Sequence, residues 1–477
     1  VKIPFILLQQ TCCNKISMGI VSLLRWPWGP SEERYSVIGS NSLSSFERAK
    51  QVFVDGTTRV TVERDPTPRY VSKGEGAYVH DVDGRAFLDL NGNYTTLIHG
   101  HGFQPVVEAV VRQMQSGTCF ANPTLAEIEL AELLCERVPR MDSIRFVNTG
   151  SEAVMFAVKA ARAFTGRPCI AKIEGAYHGA YDWVEVSQAS TPANWGSAER
   201  PNAVPFYKGQ PESVLAEVVT IRLNDAEGAR RLIAENADRL AAVLLDPMPS
   251  RAGLISPSPE FLEAVQSTAA KHGVLIISDE VLNFRQGYQG IAARFGVKPD
   301  LYALGKIIGG GLPIGAIGGR REVMSVFDAA GKRPALPQGG TFSANPLSMV
   351  AGEAAMRALT PAVFERLEAL GDRLRDGIRT HISTSDAPFV VTGAASLFRI
   401  HPKKVAPRDF RDVTSTPAEN DVMREMTRYF AENGILLPFG AAACLSTPMT
   451  QADIDHVAGV FGAFIKDRSA LIGKISV

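Results

Sequence analysis

Cysteine is scarce in this chain, and no sign of charge dominates. The six cysteines stand at positions 12, 13, 119, 135, 169 and 444, with one adjacent pair and no CxxC spacing. That excludes a disulfide framework and a zinc site of ordinary spacing, and it fits a reducing, cytoplasmic compartment. Lys+Arg and Asp+Glu both number 50, so the formal net charge is zero. Bulk charge therefore gives no reason to bind nucleic acid. Long apolar runs are missing too. Ile3 to Leu8 is interrupted at Gln9-Gln10, well short of the ~20 residues that a membrane span needs. No membrane partner is expected.

Residues 1–40 differ from the rest. Two short apolar runs occur there, Met18 is a candidate start, and no clear cleavage site for a signal peptide follows. A poorly ordered extension is expected.

What the chain does have is 477 residues at 45% hydrophobic content, enough for several domains with a large core. Ser45 to Val54 reads as a short amphipathic helix. Gly76 to Leu90 reads as a hairpin around Asp83-Gly84, and 91–102 as a loop. From Pro105 onward, helices and strands alternate. Helices are expected over 106–114, 125–137, 152–164 and 259–271, and strands over 144–147, 169–173, 241–245, 274–277 and 301–304. This alternation predicts an α/β domain with a mostly parallel sheet and sites at the strand ends. After Pro346 long helices are followed by a compact α+β region. The expected division is an extension (1–40), an N-terminal segment giving small-domain elements and pocket loops (41–104), a large domain (105–346) and a smaller C-terminal domain (347–477).

Four stretches carry chemistry. In the first, Leu301 to Leu304 delivers Lys306, and Gly309-Gly310-Gly311 follow almost at once. A desolvated lysine loses proton affinity and can attack carbonyls to form a Schiff base. In the second, Phe146 to Ala153, a strand ends in a polar turn and a helix begins. Backbone N–H groups at such a helix start, with the Ser151 hydroxyl, suit a phosphate; an ordinary helix cap would look the same. The third, Gly175-Ala176-Tyr177-His178-Gly179, sets an aromatic between small residues, able to lie on a planar ligand or to fill a core. His178 has no second metal ligand at suitable spacing, and no metal is expected. In the fourth, Ile276 to Val281, Asp279 ends an apolar strand. A buried carboxylate there needs a cation or a strong donor, such as a protonated pyridine nitrogen, with Val281 packing on the ring; capping a helix is the plainer role. Together the four supply a lysine for a Schiff base, a phosphate cradle, an aromatic lid and an aspartate to keep a pyridine protonated. That is the equipment for pyridoxal 5′-phosphate.

The motifs are more specific than composition. NTGSEA at 148–153, AYHG at 176–179, DEV at 279–281, LGKIIGGGLPIGAIGGR at 304–320 and GGTFSANPLSMVAG at 339–352 make the chain resemble the class III aminotransferases of fold type I. Within that group it is similar to glutamate-1-semialdehyde aminomutase and to β-phenylalanine aminotransferases. The resemblance implies a large domain with a mostly parallel seven-stranded sheet and a smaller α+β domain. It makes Lys306 the cofactor-bonding lysine and proton shuttle, Asp279 the partner of the pyridine nitrogen, Tyr177 and Val281 the two faces of a sandwich, and Gly150 and Ser151 the phosphate holders. Thr341 would reach the phosphate of a neighbouring subunit, which implies a homodimer.

Three departures bear on substrate. Asp246-Pro247 stands where the family usually has Glu-Pro. The segment 440–447, Gly-Ala-Ala-Ala-Cys-Leu-Ser-Thr, lacks the acid of the aminomutase, and it lacks the arginine that in β-phenylalanine aminotransferases helps to bind acidic partners. The three alanines suggest a roomier, more apolar pocket. Arg59 matches the arginine that binds the carboxylate of β-amino acids, with Tyr94 beside it in the matching pocket segment; a surface salt bridge is the plainer role for Arg59. The expected activity is transfer of an amino group from an amino acid, with a β-amino acid or a bulky apolar side chain favoured, to a keto acid. The alternatives are a 2,1-aminomutase and an amino-acid racemase. A DNA-binding regulator with an aminotransferase-like domain needs a helix-turn-helix module, and the residues before Asn41 are too few to supply one.

Overall fold

The computed structural model describes residues 38–64, 67–331 and 333–475. The extension expected over 1–40 therefore lies almost wholly outside the described residues. The first helix, α1, runs Ser40–Ala49, starting earlier than the sequence suggests. Its N-terminus is capped from a distance: the Asp83 carboxylate accepts the backbone N–H groups of Asn41 (2.9 Å) and Ser42 (3.2 Å). A cap supplied across 40 residues of chain leaves no local signal.

Strands β1 (Val71–Glu75), β2 (Tyr78–Asp81) and β3 (Ala86–Asp89) form an antiparallel meander. Helices α2 (Gln104–Ser116) and α3 (Leu125–Arg137) follow. The central sheet is built from β4 (Ser143–Val147), β5 (Cys169–Ile173), β6 (Val218–Ile221), β7 (Leu240–Leu245), β8 (Leu275–Asp279), β9 (Leu301–Gly305) and β10 (Gly315–Gly319). Their order is β4-β10-β9-β8-β7-β5-β6. Only β10 runs against its neighbours, pairing antiparallel with both β4 and β9. Every residue of β5, β7, β8 and β9 is buried, as expected for strands covered on both faces by helices. Helix α4 (Gly150–Thr165) packs across β7, β9 and β10, while α5 (Ala226–Glu235) and α6 (Pro259–His272) pack on each other.

Helices α7 (Pro346–Ala358) and α8 (Pro361–Ser385) lead into β11 (Val390–Thr392) and β12 (Leu397–His401), and then α9 (Pro417–Glu432), β13 (Ile435–Leu436), β14 (Ala443–Cys444) and α10 (Gln451–Asp467). Strand β13 pairs in parallel with β3, adding a C-terminal strand to the N-terminal meander. Strand β14 pairs with β12, setting Ala443 opposite Phe398. Ala442 and Ala443 are thus buried, and Ala442 joins a small cluster with Met248, Leu254, Ile291 and Leu397. The three alanines were expected to widen a pocket, yet two of them fill the core.

The candidate active site

Five chain segments converge where the central strands end, the usual place for ligands in open α/β sheets. β4 leads into the start of α4, β5 into the Tyr177 loop, β7 into Asp246, β8 into Asp279 and β9 into Lys306.

At the start of α4 the Thr149 side chain accepts the Glu152 N–H at 3.0 Å, and the Glu152 carboxylate accepts the Asn148 N–H at 2.6 Å. These bonds fix the first turn and leave the N–H groups of Gly150 and Ser151 without intrahelical acceptors. Ser151 Oγ accepts the Ala180 N–H at 3.1 Å, so its own hydrogen remains to donate. Close approach demands glycine at two points. A methyl at Gly150 would meet the Val281 side chain at 2.6 Å, and one at Gly179, whose φ is +94°, would collide with Ser151 Oγ. Gly150, Ser151, Gly179 and Val281 therefore sit in one tight cradle.

Asp279 is buried. One oxygen accepts from His178 Nδ1 at 2.6 Å and the other from the Val281 N–H at 3.0 Å. Burial lowers the pKa of His178, although Asp279 opposes this, so the neutral ring donates through Nδ1. Its Nε2 is buried with no partner. Tyr177, one residue earlier, keeps 50% of its surface open. His178 is thus the group that orients Asp279.

Lys306 follows the last residue of β9 with φ +49°, a left-handed conformation unusual for a residue with a side chain and typical of functional sites. Burial lowers its amine pKa, Asp279 and Asp246 work against that, and Arg285 reinforces it. Asp246 is buried, its Oδ1 accepting from the Met248 N–H (3.0 Å) and Asn283 Nδ2 (2.5 Å). Burial and then the neighbouring Asp279 raise its pKa well above the usual aspartate value.

Residues 92–95 form one turn of left-handed helix, with φ of 52°, 50°, 56° and 73° at Gly92, Asn93, Tyr94 and Thr95. Such a run is costly for residues other than glycine. Arg285, fully buried, stabilises it by donating to the Thr95 carbonyl (2.7 Å), to Ser396 Oγ (3.0 Å) and to the Leu445 carbonyl. The turn presents Asn93 and Tyr94 to Arg59. Arg59 Nη1 donates to Asn93 Oδ1 at 3.1 Å, and its guanidinium lies 5.6 Å from the Tyr94 ring centroid. The salt bridge considered as the plainer role for Arg59 does not occur among the described residues. Thr341 is exposed on a loop where Gln338 donates to the Phe146 carbonyl at 3.1 Å.

The arrangement fits pyridoxal phosphate: an anion cradle, an open aromatic face, a buried carboxylate and an amine of lowered proton affinity adjoin one another. The class-III aminotransferase family model matches residues 60–466. The chain is a class III aminotransferase. Members of this family depend on pyridoxal phosphate, and so does this enzyme. Among solved structures, this aminotransferase is 46% identical to an omega-transaminase from Sphaerobacter thermophilus, with a TM-score of 0.88 over 91% of this chain and 99% of that one. It is 31% identical to a beta-phenylalanine aminotransferase from Variovorax paradoxus, with a TM-score of 0.81 over 92% and 96%. It is also 37% identical to glutamate-1-semialdehyde 2,1-aminomutase 2 of Halalkalibacterium halodurans over 425 residues, 87% of this chain and 95% of that protein. No helix among the described residues is long and apolar enough to cross a membrane.

Sequence reasoning missed Arg285 and Asn283. Nothing local distinguishes either from a surface residue; only the buried acceptors around them do.

Proposed function

We propose that this aminotransferase takes its amino group from a β-amino acid, gripping the donor carboxylate with Arg59, and passes it to a keto acid in a ping-pong cycle. The observation that carries this is Arg59 held between the Asn93 amide oxygen and the Tyr94 ring, which leaves most of a planar fork to bind a carboxylate. Similarity to the Variovorax enzyme supports the donor class.

When bound, pyridoxal phosphate supplies an electron sink for the carbon that loses its proton. The rest falls to the chain. The start of α4 holds the phosphate through the Gly150 and Ser151 N–H groups and the Ser151 hydroxyl. Asp279, oriented by His178, would pair with the pyridine nitrogen and keep its proton in place. Tyr177 and Val281 would hold the ring between them. Lys306 Nζ takes the substrate proton in its neutral form and returns it in the charged form; a lowered pKa enlarges the neutral fraction. Thr341 is assigned to the cofactor phosphate of a second subunit in a homodimer. In support, α2 and α3 leave Val107, Val111, Met114, Leu125 and Ile128 exposed, and Phe120 between the helices and Phe342 beside Thr341 are exposed as well.

A second reading is a 2,1-aminomutase, favoured by the Halalkalibacterium relative and disfavoured by the absence of an acid over 440–447. The test is to add β-phenylalanine alone to the holoenzyme and follow the visible absorption of the cofactor. A stoichiometric loss of the visible band, reversed by a keto acid, is expected. Turnover of an amino-aldehyde with no keto acid added would overturn the assignment in favour of the mutase.

A further inference from the structure

Strand β5 carries a cation where a sheet interior favours an apolar residue. Lys172 is fully buried, and lysine is among the residues least often enclosed. Glu174, two residues on, is engaged elsewhere. Its Oε2 accepts from Arg411 Nε at 2.7 Å, and its Oε1 accepts from Arg411 Nη2 at 3.2 Å and from Ser190 Oγ at 3.1 Å. Lys172 Nζ instead donates to three backbone carbonyls: Val186 at 2.8 Å, Ala176 at 3.1 Å and Ile173 at 3.4 Å. An ammonium has three donors, so carbonyls alone satisfy it. Burial still pushes its pKa down to about 7, with Glu174 opposing and Arg251 reinforcing. A lysine in such a place costs stability that a methionine would not.

Two of those carbonyls bracket one loop. Ala176 stands at its start and Val186 at its end. Between them lie Tyr177, then His178, which donates to Asp279 at 2.6 Å, and Ala180, whose N–H bonds Ser151 Oγ at 3.1 Å. The loop thus supplies the open aromatic ring, the donor that orients Asp279 and a bond to the phosphate cradle. Just outside it, the Gly175 N–H donates to the Ser187 carbonyl at 2.8 Å. Lys172 adds a second tie across the same neck, and a charge-assisted one.

We propose that Lys172 is a positioning residue of the active site: by drawing the Ala176 and Val186 carbonyls together, it fixes where Tyr177 and His178 stand relative to the cofactor cradle. Its donors are spent on backbone carbonyls, so it acts through the loop. The proposal rests on the roles given to Tyr177 and His178 above.

The test compares the wild-type holoenzyme with Lys172→Met, which keeps the volume and removes the donors. Two quantities are read: amide hydrogen exchange, and the rate at which the visible band of bound cofactor decays after dilution. Exchange over residues 176–186 is expected to quicken roughly tenfold or more, the scale of a lost charge-assisted bond, while β7 and β8 keep their protection. Cofactor release should quicken with it, and the visible circular dichroism of the bound cofactor should weaken. Lys172→Gln, with two donors on a shorter arm, should fall between. If far-ultraviolet circular dichroism shows the Met variant unfolded, the Gln variant carries the test. Exchange that quickens evenly over the whole protein, or not at all, overturns the proposal and leaves Lys172 as a residue that only stabilises the sheet. Exchange quickened in the loop alone, with cofactor release and dichroism unchanged, would keep Lys172 as the tie of the loop and refute the placement of Tyr177 on the ring.

Discussion

Asp279 and His178 share a 2.6 Å hydrogen bond at the buried end of β8, and the neutral imidazole fixes which way the carboxylate faces. The bond is charge-assisted, worth about 1.5–3 kcal/mol where it forms. His178→Phe removes the donor while filling the space. Turnover should fall roughly tenfold to a hundredfold by that energy. The pH profile of the visible cofactor absorption should shift as well, because Asp279 is then less well placed to hold the pyridine proton. An unchanged absorption profile with a merely lower melting temperature would mean that His178 only packs.

With Lys306 proposed to move the substrate proton, Lys306→Ala should show no detectable transamination while its circular dichroism matches the wild type. The amine of the wild-type apoprotein, lowered by burial below the lysine value of 10.5, should become reactive earlier than an exposed lysine. The rate of cofactor loading should rise with pH and level off below 10.5. A rate still climbing through that value would contradict the lowered pKa.

Glu280 is buried, and its carboxyl oxygens accept from Ile291 N (2.8 Å), Ala292 N (2.9 Å) and Ser278 Oγ (3.1 Å). Burial outweighs these donors and pushes its pKa from 4.5 up to about 7. Between those values the folded protein holds more protons than the unfolded chain. The stability Glu280 contributes is complete below 4.5 and is lost as pH rises through about 7. Glu280→Gln should therefore melt with a flatter dependence between pH 5 and 7, measured by thermal denaturation beside the wild type. Parallel curves would refute the shift.

Arg285 ties the left-handed turn at 92–95 to Ser396 and Leu445. Arg285→Met keeps the volume but strands buried carbonyls, at about 1–3 kcal/mol for each unsatisfied group. A clear drop in the denaturation midpoint is expected, together with a raised KM for the amino donor, because Tyr94 and Asn93 lose the turn that presents them to Arg59. A stability loss without the KM change would separate the turn from donor binding.

The legible parts of the fold were those whose apolar residues run together. Strand β5 and helix α3 fall where the pattern places them, and β7, β8 and β9 lie within a residue or two. Strand β10, Gly-Ala-Ile-Gly-Gly, carries no strand signal in the sequence, because glycine is a poor strand former. Here it is needed: a side chain at Gly315 would strike the Thr149 carbonyl. Strand β1, Val-Ser-Lys-Gly-Glu, is exposed at the sheet edge and so carries no burial pattern. In the site, the residues with motif neighbours were readable, while the groups that orient them were not. His178, Asp246 and Arg285 act through partners 101, 37 and 190 residues away. Sequence reasoning also placed Tyr94 in a plain loop, since nothing in Asn-Tyr-Thr announces three successive left-handed residues.

The parallel pairing of β13 with β3 has a consequence during synthesis. Leu88 leaves the ribosome early, and its partner Ile435 leaves near the end. The central sheet can assemble while translation continues, but the wall that carries Tyr94 must wait for Leu445 and for the strand that completes its sheet. A chain stalled before residue 435 would present the start of α4 without the wall that carries Tyr94, leaving an apolar sheet edge uncovered for chaperones to hold.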